Sequence, residues 1–407
     1  MKTDTATGSD VDAGLPGPVV LFISLAAALG TSTIYLLQPA IADVADSLGT
    51  QIAAVGLALA CGPAGSMVGL GLLVPLVDRF SPARVVAIQF AVLAVALAGC
   101  AGVADVWLLG FGTGVVGACS AAGAALSSVA ARFAPSRRRA TVLGIVTAGI
   151  SAGILAGRIA GGWLAEEIGW RGALLVVAGC CAVLAGGCAV VLPVAGGAGA
   201  HGYLETLRSL PGLFLRYTGL RIAALCGAIW FFSFCAVWSG LAVALSNPPF
   251  SYSAEQIGLF AVAGLAGIPA TRIAGSWTDR VGATQVVLGG LGLAGIAAAV
   301  AAFALDSAVV TLVCLALFDA GLFAAQVANQ STVLSIDAAA PARFNSAYML
   351  VYFVGGSLGS AAGAAAVDLV GWTVSAVLAA GAIGIAAVVV VMTSVRAVAQ
   401  RRLPLNR

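Results

Sequence analysis

The stretch Gly275-Ser276-Trp277-Thr278-Asp279-Arg280-Val281-Gly282 decides how this chain folds. It is a short polar break between two long apolar runs, and it has an echo. The segment Val74-Pro75-Leu76-Val77-Asp78-Arg79-Phe80-Ser81-Pro82-Ala83-Arg84 carries the same Asp-Arg pair 201 positions earlier, in the same setting. A second echo, Gly169-Trp170 and Gly371-Trp372, is spaced by 202 positions. Two marks repeated at matched places describe a chain made of two similar halves.

Between these marks the sequence is nearly free of charge. Hydrophobic residues make up 61% of the 407 and charged ones 9%, against about 45–50% and about 25% in soluble domains. So few charges could not cover a water-facing surface of this size. A bilayer-crossing helix needs about 20 mostly apolar residues, and only helices or closed barrels satisfy their backbone in hydrocarbon. Barrel strands would alternate in short segments, whereas the runs here are long and unbroken. The expected fold is therefore an all-α membrane protein. Its twelve spans are read near 18–38, 51–77, 85–104, 106–131, 140–165, 172–194, 220–246, 256–278, 284–305, 308–333, 345–367 and 372–394.

Charge placement tests that map. With the N-terminus in the cytoplasm, the 19 basic residues fall in cytoplasmic segments or at their edges, except Arg171 outside and Arg158 and Arg272 within spans. The outer loops instead hold Asp43, Asp46, Asp105, Glu166, Glu167, Glu255, Asp306 and Asp368. This is the positive-inside pattern, and an odd span count would destroy it. Both termini are expected in the cytoplasm. The organisation read from the sequence is a cytoplasmic tail 1–17, a six-helix bundle 18–194, a polar linker 195–219, a second bundle 220–394 and a tail 395–407. The 53 glycines suit close helix–helix approach in lipid. The nine cysteines all sit inside apolar runs and read as small buried hydrophobes. Arg outnumbers Lys eighteen to one, and with the Ala/Gly/Val bias this points to a GC-rich bacterial genome and its cytoplasmic membrane.

Parallel halves of this kind belong to one large transporter class, with the substrate site between the halves near mid-membrane. The 275–282 stretch matches the GxxxDRxG loop signature, and the chain resembles the major facilitator superfamily on that ground. The first copy keeps Asp78, Arg79 and Arg84 but lacks both glycines. Span 5 carries Gly144, Gly153, Gly157, Gly161 and Gly162, and is similar to the glycine pattern of the drug:proton antiporter branch, with Arg158 where that branch has proline. Gln38-Pro39 and Asn329-Gln330 also look like a bacterial efflux-permease subgroup. The resemblance implies alternating access. It implies conformational latches at Asp78, Arg79, Arg84, Gly275, Asp279 and Arg280. One departure stands out: the branch usually has an RxxQG pattern in span 4, and the aligned stretch here is Gly110-Phe111-Gly112-Thr113-Gly114. Proton coupling would have to use other residues.

The residues themselves offer candidates. A charge at span centre costs roughly 2.5–3.5 kcal/mol on insertion scales and normally faces the bundle interior. Asp319 is the one carboxylate in the middle of a span, and Arg158 and Arg272 are the intramembrane cations. These three are the expected proton-coupling or substrate-path residues, with a structural ion pair or snorkelling as the plainer alternatives. Gln326, Asn329 and Gln330 share a helix face by i, i+3, i+4 spacing, and Tyr348 and Tyr352 follow in span 11. Trp230, Phe234 and Trp238 recur every four residues as an aromatic stripe, read equally as substrate wall or as packing and lipid contact. Tyr35 and Gln38 precede Pro39 at the outer mouth.

The function expected is secondary active export of a small organic molecule (drug, metabolite or sugar-like), driven by a proton gradient and needing no bound cofactor or metal. Uptake or facilitated diffusion through the same fold is the alternative. A membrane enzyme would need clustered catalytic groups or metal ligands, and the spans read here contain no His or Glu. The expected partners are the substrate and the bilayer, with no nucleic acid, and the chain is expected to act as a monomer.

Overall fold

The apolar runs become helices because hydrocarbon offers the backbone no other hydrogen-bond partners. A computed structural model describes residues 15–135, 138–194, 211–337 and 341–402, without the side chains of Asp78, 139–140, 341–342 and 395–402. Of the expected tails and linker, 1–14, 195–210 and 403–407 lie outside the described residues. Among the described residues, eleven continuous helices are long and apolar enough to span. One of them, Thr141–Val191, has 51 residues, about 76 Å at 1.5 Å per residue and over twice the roughly 30 Å hydrocarbon core. It turns back at Gly169, whose φ of 76° and ψ of 157° break the helix. Twelve crossings result.

We label them α1 (Gly17–Tyr35), α2 (Ile52–Leu72), α3 (Pro82–Gly102), α4 (Val106–Phe133), α5 (141–168) and α6 (170–191). The second set is α7 (Thr218–Ser246), α8 (Ala254–Val281), α9 (Ala283–Ala301), α10 (Ala308–Leu334), α11 (Arg343–Val370) and α12 (Trp372–Ser394). Large apolar side chains such as Val95, Phe111, Val183, Val190 and Phe303 stand exposed on the outside, as a lipid-facing surface requires. The sequence-read boundaries shift in four places. Span 1 stops at Tyr35, because Pro39 disfavours helix at the residue before it, and a short helix Ile41–Leu48 fills the loop that follows. Span 2 stops at Leu72, and Leu76–Arg79 form a separate turn. The last helix runs on to Arg402, and residues 211–216 of the expected linker are helical.

The duplication is visible in the backbone. Gly371, like Gly169, has a positive φ, 81°, a conformation that costs other residues about 1–2 kcal/mol. After each glycine a tryptophan is buried, and Trp372 Nε1 donates to the Ala301 carbonyl at 2.9 Å to close the end of α9. On α5, Gly153, Gly157 and Gly161 press against the backbone of Ala28 and Ser32 on α1 and of Leu36 just past its end. On α11, Gly355, Gly359 and Gly363, each 202 positions on, press against Ala228, Phe232 and Ala236 on α7, each 200 positions on. In lipid such close backbone approach replaces the hydrophobic effect as the glue. Gly149, against Ser24, is the fourth glycine of the α5 stripe, while Gly144 faces open space.

The two halves meet through α2–α11 and α5–α8. The α5–α8 contact uses residues 254–266 of α8, at the end near the acidic loops. There Gly162 touches the Ala254 backbone and Gly258 touches the Arg158 backbone. Towards the arginine-rich loops the two helices part, and a Cβ at Gly275 would meet open space.

Gly157→Val should force α1 and α5 apart and destabilise the protein by about 1–3 kcal/mol, the usual penalty of overpacking. Gly144→Val should change stability by no more than about 0.5 kcal/mol, as at an open position. Thermal melting of the two purified variants in the same detergent checks the pair; equal losses would deny the stripe its role.

Candidate functional site

Three local devices bring the site together. The Gln38-Pro39 step ends α1 and frees the Gln38 side chain at the helix terminus. The glycines on α5 face α1, which turns Arg158 about 100° away, towards the second half. In α8, residues Phe260–Ala266 form a tighter 3-10 stretch just before Pro269, where the missing proline N–H and its ring disturb the regular ladder. That stretch seats Gly264 tightly, its position for a Cβ lying 3.1 Å from Asp319 Oδ2.

Arg158 and Asp319 are the buried charges of this centre, 4% and 1% exposed. They come from opposite halves and do not touch; Trp238 stands as the link. Its indole Nε1 donates to Asp319 Oδ1 at 3.2 Å, and its ring face lies under the Arg158 guanidinium, 4.2 Å from the carbon to the centroid. Tyr35 and Phe234 complete the surround, at 4.9 and 5.5 Å. Arg158 Nε donates to Gln38 Oε1 at 2.8 Å, and Gln38 Nε2 donates to Ser239 Oγ at 3.2 Å. A chain of polar contacts thus ties α5 to α1 and α1 to α7 across the boundary between the halves.

A second polar group sits deeper in the second half. The Tyr348 hydroxyl donates to Gln326 Oε1 at 2.6 Å, and Asn329 Nδ2 donates to the Ala223 carbonyl at 2.9 Å. Gln330 departs from this group and pairs with Asn345 at 2.8 Å. The aromatic stripe is interior: Trp230, Phe234 and Trp238 are all buried, which excludes lipid contact. Tyr352 stacks on Phe231 with centroids 3.9 Å apart, and Phe318 lies parallel to Phe234 at 6.5 Å.

The remaining candidates lie elsewhere. Arg272 is exposed on α8, towards the arginine-rich end, and the structure does not bring it to Arg158 or Asp319. Arg79, Arg84, Asp279 and Arg280 are exposed near that same face; the Asp78 side chain lies outside the described residues. Residues missed by sequence reasoning are Cys235, Ser239, Ser360 and Phe353, which with Phe231 line a cavity of about 30 Å³ beside Tyr35, Gln38 and Arg158. The repeat spacing could have found two of them, since Ser239 follows Gln38 by 201 and Ser360 follows Arg158 by 202. At roughly 10–15 Å³ per water, the cavity holds about two waters, far from the roughly 300 Å³ of a small ligand site. A groove of about 550 Å³ between α9 and α10 is larger but lies on the apolar exterior, bounded by Ile296, Val300, Phe303 and Val310.

Two duplicated six-helix bundles around a buried charged centre narrow the field, and comparison with known families decides it: the Major Facilitator Superfamily model matches residues 20–333. The chain belongs to the Major Facilitator Superfamily. It is a transporter of that superfamily and a multi-pass membrane protein. It is similar to the "Uncharacterized transporter YgaY" of Escherichia coli, 28% identical over 354 residues, covering 87% of this chain and 90% of that one. It is also similar to the "Probable transporter SCO4007" of Streptomyces coelicolor, 32% identical over 353 residues, covering 86% and 81%. In fold it is similar to a bacterial homologue of the human lysosomal transporter Spinster, solved inward-facing and unoccupied. The TM-score is 0.76 at 16% identity, over 95% of this chain and 98% of that one.

The sealed end of this superfamily member carries an acidic rim. Burial pushes the Asp43 carboxyl above its ordinary 3.8, and the neighbouring Glu166 and Asp46 carboxylates push it further the same way. Folded Asp43 therefore holds its proton more tightly than the unfolded chain does. Its charge weakens the fold progressively as pH rises above 3.8 through the raised value. Asp43→Asn is expected to raise the melting temperature at pH 7 and to give no gain below pH 3.8. A melting series across that range checks the sign.

Proposed function

We propose that this transporter exports a small organic molecule from a bacterial cell by alternating access, in exchange for protons. The observation that carries the reading is the placement of Asp319 and Arg158: one buried charge on each half, meeting only across Trp238 at the sealed end. An opposite charge nearby favours the ionised carboxyl, and its withdrawal favours the protonated one. Rocking of the halves changes the Arg158–Asp319 separation, so proton binding and access alternate together. The missing arginine of span 4 leaves this pair as the available coupling device.

The same reading places the arginine-rich face in the cytoplasm, by the positive-inside rule, within the bacterial cytoplasmic membrane. Arg79, Arg84, Asp279 and Arg280 then serve as the cytoplasmic latch, with Asp78 and Gly275. Their exposure beside the parted ends of α5 and α8 suits pairs that form when that face closes. The Trp230–Tyr352 aromatic wall and the Gln326–Tyr348–Asn329 group provide the surface a partly apolar substrate would meet.

Asp319→Asn should abolish substrate flux driven by an imposed pH gradient, by more than about tenfold, the scale of losing one kinetic factor worth 1.4 kcal/mol or more. It should leave expression and melting behaviour close to wild type. Proteoliposomes with the gradient in either direction supply the measurement. Unchanged gradient-driven flux would sink the coupling role, and accumulation down an inward proton gradient would replace export by uptake.

A further inference from the structure

We infer that the apolar groove between α9 and α10 is a lipid site, and that Asp306 and Ser307 at its mouth select a phospholipid whose headgroup carries a primary ammonium. The site lies on the lipid-facing exterior, and it stands or falls independently of the exchange reading above.

The groove has the outline of one amphiphile. Ile296, Ala299, Val300 and Phe303 line it at i, i+3, i+4 and i+7, which is one face of α9, and all four are exposed. From Ile296 to Phe303 is about 10 Å at 1.5 Å per residue. That is some two thirds of the roughly 15 Å in half a hydrocarbon core. Val310 on α10 makes the opposite wall. The volume of about 550 Å³ falls within the roughly 300–1,000 Å³ of sites that hold a small organic molecule. The apolar length runs along the leaflet on the acidic side. The polar end, Asp306 and Ser307, falls in the hairpin turn, where headgroups lie.

The turn holds itself together and leaves two polar groups over. The Ala301 carbonyl accepts from Trp372, and the Ala302 carbonyl from Thr373 Oγ1 at 3.0 Å. The Ala304 carbonyl accepts from the Ser307 N–H at 3.0 Å and from Thr311 Oγ1 at 2.8 Å. The duplication shows what changed. In the first half Asp105 caps α4, accepting from the Trp107 N–H at 2.9 Å and the Leu108 N–H at 3.0 Å. Its echo 201 positions on is Asp306, and there the cap has passed to Ser307, which accepts from the Val310 N–H at 3.4 Å. Among the described residues the exposed Asp306 carboxylate accepts no hydrogen bond. The Ser307 hydroxyl keeps its own hydrogen to donate.

A carboxylate and a hydroxyl on adjacent residues complement an ammonium and a phosphate two carbons apart. A primary ammonium brings both a full charge and three N–H donors to the carboxylate. A quaternary ammonium brings the same charge and no donor. An anionic headgroup would meet Asp306 with repulsion. The occupant is therefore a phosphatidylethanolamine-type lipid, with a chain in the groove and its headgroup at the turn.

The test is lipid retention by the full-length protein in detergent, followed by native mass spectrometry at one fixed pH. Dioleoyl phosphatidylethanolamine, its N,N-dimethyl derivative and dioleoyl phosphatidylcholine are titrated in turn; they share chains and charge and differ in N–H donors. Phosphatidylethanolamine is expected to half-saturate at a concentration about threefold to fivefold lower than phosphatidylcholine, the scale of an exposed charged contact. The dimethyl lipid should fall between them. Asp306→Ala should erase the difference, whereas Asp105→Ala, which removes only a helix cap, should keep it. Ala299→Trp, at an exposed position, should fill the groove and weaken retention of all three. The three-lipid comparison on the unaltered chain depends on no variant folding. Equal retention of the three lipids, or a phosphatidylethanolamine preference that survives Asp306→Ala, would overturn the proposal. So would a lipid-free dimer that Ala299→Trp breaks, since a second copy would then be the occupant.

Discussion

Everything in this protein hangs on helix backbones that touch. Lipid tails are as apolar as leucine, so burying apolar surface between helices gains little, and van der Waals contact must hold the bundle instead. The glycines of α5 and α11 supply it, at the same spacing in each half. A side chain at Gly157 would hold α1 away and carry Gln38 with it, and Gln38 is the group that orients Arg158. The fold and the site therefore share one constraint.

The buried charges follow from that closeness. A guanidinium in a bilayer is tolerated when it faces the interior and finds partners. Arg158 finds an amide, three ring faces and a distant carboxylate. None of these contacts is the bidentate fork that makes an arginine–carboxylate pair hard to separate. A centre of moderate contacts distributed across two bodies can be broken by a rocking motion. A tight ion pair there would favour one state too strongly for a transporter, because only a modest free-energy difference between states lets a substrate shift the balance.

The sealed end shows a comparable economy. Gly162 and Gly258 let α5 and α8 meet backbone to backbone, which closes the path with almost no side chain to rearrange. The price is a cavity of about 30 Å³ beside Arg158, too small for any organic substrate.

Much of this was legible in the sequence for simple reasons. Hydropathy gave the spans, arginine placement gave their even number, and the echo of Asp78-Arg79 in Asp279-Arg280 gave the two halves. Asp319 and Arg158 stood out because an intramembrane charge is expensive wherever it lies. Span ends were less legible: Pro39 cut α1 short and left room for the helix Ile41–Leu48, a local effect that hydropathy averages away. Gly149 joins the α5 stripe and Gly144 does not, because spacing along the chain does not say which glycine meets a neighbour. By itself, then, the sequence determined the solvent, the number of crossings and the duplication, since each depends on composition and spacing along the chain. Tertiary structure alone decided that Trp238 stands between Arg158 and Asp319, that Ser239 ties to Gln38, and that Arg272 stays out. Those facts depend on the rotation of each helix about its own axis, which packing sets and a list of residues does not contain.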